Sequence, residues 1–178
     1  MKVLILSDNH GHYELVHSII DRFRPEVDYI CHCGDSEFQA DDPIWQEVDA
    51  YVAGNMDFDP AYPSQSLLDT DQGRILVVHG HRHQVNHHKY HLIEEAQTLG
   101  ARMVFHGHTH KLYARIEEGI LLVNPGSLAQ SRGPVAERTF ALAEIDSKQA
   151  MIHFYRYDGQ ELPQLTCMLD FSEGVSDD

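Results

Sequence analysis

The sequence predicts an α/β protein built on two sheets, and three features predict it. Apolar strand-like runs alternate with helix-spaced apolar residues from Lys2 to Phe105, hairpins replace that alternation afterwards, and a chain of 178 residues, 42% hydrophobic and 23% charged, matches one ordinary core. Residues 2–7, "KVLILS", read as a buried strand. Leu15, Val16, Ile19, Ile20 and Phe23 follow at helical spacing and stop before Pro25, which cannot continue a helix. "VDYICHC" reads as the second strand, "PIWQEV" as a short helix opened by Pro43, and "DAYVAG" as the third strand. "SLLDTDQGRILVVHG" holds two strands around a turn at Asp71 to Gly73. A helix near 89–99 turns Leu92, Ile93, Ala96 and Leu99 inward, and "ARMVFH" is the strand behind it. "YARIEEGILLVN" turns at Glu118 and Gly119, and "TFALAEIDSKQAMIHFYRY" pairs two alternating strands around Asp146 to Lys148. The reading gives one domain over 1–170 and an acidic tail, 171–178, too polar to order itself.

Composition excludes several function classes. The formal charge of −15 repels polyanions, and no lysine or arginine cluster offers to neutralise phosphates, so extended nucleic acid is not an expected partner. No run reaches the roughly 18 to 20 apolar residues of a membrane span, and "MKVLILSDNHGH" turns polar too soon for a signal peptide; a cytoplasmic protein is expected. Cys31, Cys33 and Cys167 are odd in number, and the first two alternate within a strand. That pattern reads as structure, neither a disulfide framework nor a cysteine zinc site.

The metal-capable side chains fall in one kind of place. Asp8 and His10 follow the first strand, Asp35 the second, Asn55 the third, and His79 the next, while His108 and His110 follow "ARMVF". In an open α/β sheet, ligands bind beyond the carboxyl ends of strands, where loops converge on a rigid base. Glycines stand beside these positions, as tight exits from strands require. Carboxylate, amide and neutral imidazole together suit borderline ions such as Mn²⁺, Fe²⁺, Ni²⁺ or Zn²⁺, with manganese expected first. The imidazoles of "FHGHTH" thus read as metal ligands.

The order of "SDNHG", "HCGDSE", "AGNMD", "VVHGH", "FHGHTH" and "VNPGS" resembles the calcineurin-like metallophosphoesterase superfamily, and within it the small YfcE-like phosphodiesterases of bacteria and archaea. The resemblance spans Met1 to about Ser127. It implies a four-layer α/β/β/α sandwich of two mixed sheets flanked by helices, with a two-metal site at the carboxyl edge of the strands. It also implies that Asp8, His10, Asp35 and His110 hold one metal, that Asp35, Asn55, His79 and His108 hold the other, and that Asp35 bridges them. Two such ions activate a bridging water and neutralise the oxygens of an in-line phosphoryl displacement, so no serine or cysteine nucleophile is needed. The expected substrate is a small phosphate ester.

Other residues carry weaker signals. "NPGS", Asn124 to Ser127, is either a simple turn or a loop supporting the metal edge, and the second reading is kept. In "HGHRHQVNHHKYH", His81 is expected to line the pocket beside His79, whereas His83, His87, His88, His91 and Arg82 read as solvated. Many relatives of this kind place a histidine after the metal-binding asparagine to protonate the leaving group; here Met56 stands there and cannot transfer a proton. Asp57 is the candidate acid in its place, with Asp59 behind it, although "DFDP" reads equally as a turn. A phosphodiesterase preferring good leaving groups is therefore expected. The rivals are a phosphomonoesterase or nucleotidase, a nuclease, and a non-catalytic interaction module. If the chain assembles, a homodimer is the default.

Overall fold

The structure is a computed structural model that describes residues 1–174. Its regular elements are β1 (Lys2–Leu6), α1 (Tyr13–Phe23), β2 (Tyr29–His32), β3 (Ala50–Tyr51), β4 (Gln65–Thr70), β5 (Gly73–Val78), α2 (Tyr90–Thr98), β6 (Ala101–Phe105), β7 (Tyr113–Glu117), β8 (Ile120–Asn124), β9 (Thr139–Ile145), β10 (Gln149–Arg156) and β11 (Cys167–Asp170). One sheet runs β11-β10-β9-β1-β2-β3, the other β4-β5-β6-β8-β7. Both are mixed: β1, β2 and β3 are parallel, as are β5, β6 and β8, and hairpin partners fill the remaining places.

The two-residue period of the strands builds the layers. Val3 and Ile5 enter a core between the sheets, where they meet Ile75, Val77, Met103, Phe105, Leu121 and Val123. Leu4 and Leu6 face the other way, onto Val16, Ile19, Ile20 and Phe23 of α1. On the second sheet, Leu76, Val78 and Val104 face Leu92, Ile93 and Ala96 of α2. β1, β5 and β6 are thus buried on both faces, which is why these segments read as continuous apolar runs. At about 1.5 to 3 kcal/mol per buried large apolar side chain, this packing is the main term holding the strands in place. The result is the expected α/β/β/α sandwich.

Several expectations need correction. "PIWQEV" forms a 3-10 turn, Pro43–Glu47, capped by the Asp42 carboxylate, which accepts from the Ile44 N–H. The third strand stops at Tyr51, because the Ala53 N–H leaves the ladder for the Pro63 carbonyl. Edge strand β11 was not expected: its residues alternate between partly and fully exposed, so they give no apolar run. The segment expected to lack structure is ordered in its first part. Phe171–Gly174 makes a 3-10 turn, and Phe171 is buried beneath the Arg102 guanidinium, 3.7 Å from its ring centre. Residues 175–178 of that expected tail lie outside the described residues.

Candidate metal centre

The carboxyl ends of the parallel strands deliver loops to one edge, and the loops adopt a strained backbone there. Asp8, His10, Asp35, His108 and His110 have φ of 53°, 43°, 52°, 69° and 56°. L residues enter this left-handed region at a cost of about 1 to 3 kcal/mol each, so such positions persist only where surroundings enforce them, and they concentrate at functional sites. Two glycines permit the close approach. A Cβ on Gly54 would lie 2.0 Å from Asp35 Oδ1, and one on Gly107 would lie 2.4 Å from Asp8 Oδ2.

Asp8, Asp35, His79 and His110 are buried here, with His10 and His108 partly so. His110 Nε2 lies 3.1 Å from Asp8 Oδ1, and His79 Nε2 lies 3.4 Å from Asp35 Oδ2 and 3.9 Å from Asp8 Oδ1. Asp35 Oδ2 is also 3.7 Å from His10 Nε2, so this oxygen stands between the His10 and His79 imidazoles. Asn55 Oδ1 is 3.2 Å from His79 Nε2, and the His79 and His108 ring centres are 5.2 Å apart. Among the described residues, ligand atoms of Asp8, His10 and His110 form one group within 4.8 Å of one another, and those of Asp8, Asp35 and His79 form another.

Each of three imidazoles is oriented through its other nitrogen. His79 Nδ1 is 2.7 Å from the Cys33 carbonyl, His110 Nδ1 is 2.8 Å from the Gln130 carbonyl, and His10 Nδ1 is 2.7 Å from Glu37 Oε1. A carbonyl can only accept, so Nδ1 of His79 and His110 must carry hydrogen, and in the neutral ring Nε2 then faces the carboxylates as a lone-pair donor. That division of labour is the usual one for metal-bound histidine.

Electrostatics favours a cation at the same point. Burial would raise the Asp8 carboxyl, but contact with His110 and the charges of His79 and His110 hold it below the usual carboxylate range. Burial opposes ionisation of Asp35 too; the hydrogen bond and charge of His79 and the Met56 N–H nevertheless hold it at about 2. His79 is drawn upward despite its burial by Asp35 and Asp8. Asp8 Oδ1 is buried without a hydrogen bond, an expensive condition for an ionised oxygen unless a cation faces it. The donor set and this orphaned oxygen fit divalent metal.

The loops are tied to one another by residues the sequence analysis did not single out. Ser7 Oγ donates to Asp8 Oδ2, 2.5 Å away. Asn9 donates to the Ser36 carbonyl and accepts from His32, joining the loops after β1 and β2. The "NPGS" loop does support the edge: Ser127 Oγ donates to the Asp8 carbonyl, and Asn124 Nδ2 donates to the Gly107 carbonyl. Glu37 had a legible signal, lying two residues past Asp35, but its pairing with His10 depends on a fold contact across 27 positions. His106, first in "FHGHTH", is buried behind the edge against the Tyr113 hydroxyl and is no part of the cluster.

His81 lines the site, its ring centre 5.4 Å from that of His79 and 6.2 Å from that of His108. Burial, with the charges of His79, Arg82 and His108, pushes it down to about 4. Asp57 is placed differently from the expectation of a catalytic acid. Its carboxylate accepts from the Ser36 N–H and hydroxyl, the Glu37 N–H at 2.7 Å and the Gly54 N–H at 2.7 Å. These four donors occupy the acceptor positions of the carboxylate, so Asp57 braces the loops after β2 and β3. Asp59 does similar work with the Ala40 and Ala61 N–H groups.

Residues 1–148 match the family described as the calcineurin-like phosphoesterase superfamily domain. The chain belongs to this family. The protein named "Probable metallophosphoesterase YsnB" from Bacillus subtilis (strain 168) is 36% identical to this calcineurin-like phosphoesterase over 167 residues, 93% of this chain and 96% of that one. A crystal structure of a conserved uncharacterized protein of Streptococcus pneumoniae TIGR4, described as a predicted phosphoesterase, superposes with a TM-score of 0.90 at 34% identity, covering 95% of this chain and 97% of that one. Yfce, a phosphoesterase from E. coli, superposes with a TM-score of 0.62 at 17% identity over 91% of this chain and 97% of its own, a likeness of fold. No helix among the described residues is long and apolar enough to cross a membrane.

Proposed function

We propose that this calcineurin-like phosphoesterase is a divalent-metal-dependent phosphodiesterase that hydrolyses small phosphodiesters with good leaving groups. The observation that carries the reading is the convergence of Asp8 and Asp35 with His10, His79 and His110, each imidazole held through Nδ1 so that Nε2 faces the carboxylates. Asp8, His10, Asp35 and His110 would hold one ion, and Asp35, Asn55, His79 and His108 the other, with Asp35 shared. Two divalent ions, manganese by first choice, supply an activated water and charge neutralisation for phosphoryl displacement.

The chain's own residues set the rest. Two carboxylates leave two divalent ions with a formal surplus of positive charge, which draws an anionic ester to a protein that is acidic overall. Glu37 and Asp59, which line the cleft beside the centre, disfavour the additional charge of a monoester dianion, which is the reason for preferring diesters. Proton supply to the leaving oxygen is poor: Met56 holds no proton to give, Asp57 is occupied by four donors, and His81 at about 4 is neutral at physiological pH. Neutral His81 lines the site and can donate a hydrogen bond to a phosphoryl oxygen. The acidic surface argues against nuclease activity.

The test is hydrolysis of a panel of aryl diesters and monoesters by the full chain before and after chelation. EDTA should abolish turnover, Mn²⁺ or a similar ion should restore it, and diesters should outrun monoesters. Turnover by protein shown by elemental analysis to be metal-free would overturn the mechanism.

A further inference from the structure

Beside the metal centre, the loops after β2 and β3 enclose a cleft of about 470 Å³ lined by Glu37, Phe38, Gln39, Met56, Asp57, Phe58 and Asp59. Two of its lining residues touch the centre. The Met56 N–H donates to Asp35 Oδ1 at 2.7 Å, and Glu37, which holds His10, forms part of the cleft wall. Two apolar side chains face outward there: Met56 is 39% exposed and Phe58 is 82% exposed, the most exposed large apolar side chain described. This exposure is not that of a slack loop tip. Phe58 stands between Asp57 and Asp59, whose carboxylates are bonded to backbone N–H groups of the loop after β2, so the backbone is clamped on both sides of an uncovered ring.

We propose that this cleft is a subsite for an uncharged, planar aromatic ring carried by the phosphate ester, with Phe58 as the platform on which the ring stacks. The proposal rests on the phosphodiesterase reading and names the substrate class. Continuity with the centre makes the occupant an arm of the substrate itself, because an ester held beside Asn55 has Met56, whose N–H donates to Asp35, as its next neighbour. Charge selects which arm. Glu37 and Asp59 line the cleft and repel a second anion, and no lysine or arginine lines it, whereas an uncharged ring loses nothing there and gains contact with Met56 and Phe58. The ring can belong to a phenol ester, joined directly to phosphate, or to a nucleobase, one sugar away.

Calorimetric titration of the Mn²⁺-loaded full chain with methylphosphonate, phenylphosphonate, phosphonoacetate and thymidine 5′-monophosphate separates these cases. At least one aromatic ligand should bind roughly tenfold or more tighter than methylphosphonate, and phosphonoacetate should gain nothing. A gain for phenylphosphonate assigns the phenol ester; a gain for the nucleotide alone assigns the nucleobase. In Phe58→Ala the aromatic advantage should fall to about twofold with methylphosphonate affinity unchanged, and Phe58→Trp should keep it. Phe58 is exposed, so its replacement does not threaten the fold. An aromatic advantage that survives Phe58→Ala, or none in the parent, would overturn the subsite while leaving the phosphodiesterase reading intact. If the metal-loaded chain neither binds any of these ligands nor hydrolyses an aryl diester, that reading fails and the subsite with it.

Discussion

Asp8, His10, Asp35, His108 and His110 are each held in a conformation that an L residue adopts at a cost, and glycines without room for a Cβ stand against two of them. Side-chain aim therefore depends on backbone fit. Gly54→Ala would drive a methyl group into Asp35 Oδ1, so we predict a destabilisation of about 1 to 3 kcal/mol together with loss of bound metal, read by denaturant titration and elemental analysis. Parent-like metal content in a stably folded Gly54→Ala would show that Asp35 is free to move. Met56 leads to a second prediction. With no proton donor beside Asn55, kcat/KM should fall steeply as the leaving-group pKa rises along a series of aryl and alkyl diesters. General acid assistance is worth roughly 10² to 10⁴-fold, and Met56→His should recover part of it for poor leaving groups. Asp57→Asn should weaken the loop clamp and leave the slope unchanged. A steeper slope in Asp57→Asn would make Asp57 the acid after all.

At the scale of elements, the sequence was most legible where apolar periodicity was longest. β1, β5, β6 and the two hairpins are each buried on both faces or alternate cleanly, and their ends lie within a residue or two of the expected ones. β3 and β11 were harder because their boundaries depend on which distant backbone groups take their hydrogen bonds. The seven candidate ligands were legible because parallel strands put them on one edge. The braces were not: Asn9, Glu37 and the bonds of Asp57 join loops 20 or more positions apart. Elements also carry buried imidazoles that give a pH prediction. Burial pushes His106, at the end of β6, down to about 3, and His32, on β2, down to about 4. An unfolded chain protonates histidine near pH 6.5, so below that pH the unfolded state binds the extra protons. The stability these residues contribute is full above pH 6.5 and falls towards pH 3 to 4, by up to about 1.4 kcal/mol per pH unit for each. In chelator-treated protein, denaturation at pH 7 and pH 4.5 should show His106→Asn costing more at the higher pH. An equal cost at both would mean that His106 is not kept neutral by the fold.

The whole molecule is strongly acidic, and the proposed metal centre would be a small cationic target within it. A formal charge of −15 leaves the protein repelling polyanions, yet in the proposed centre Asp8 and Asp35 would not neutralise two divalent ions. Under that proposal, selection of a small anionic ester follows from the contrast. The sandwich supplies the rigidity: α1 and α2 pin the outer faces of the two sheets, so loops from five strands can meet with their candidate ligands already aimed. Everything in the account depends on two ions sharing Asp35, and the number of metals per chain tests it most directly. Elemental analysis of Mn²⁺-reconstituted protein should find two per chain in the parent, near none in Asp35→Asn, and about one in His79→Ala. Two ions retained by a folded, active Asp35→Asn would contradict the shared carboxylate and the mechanism built on it.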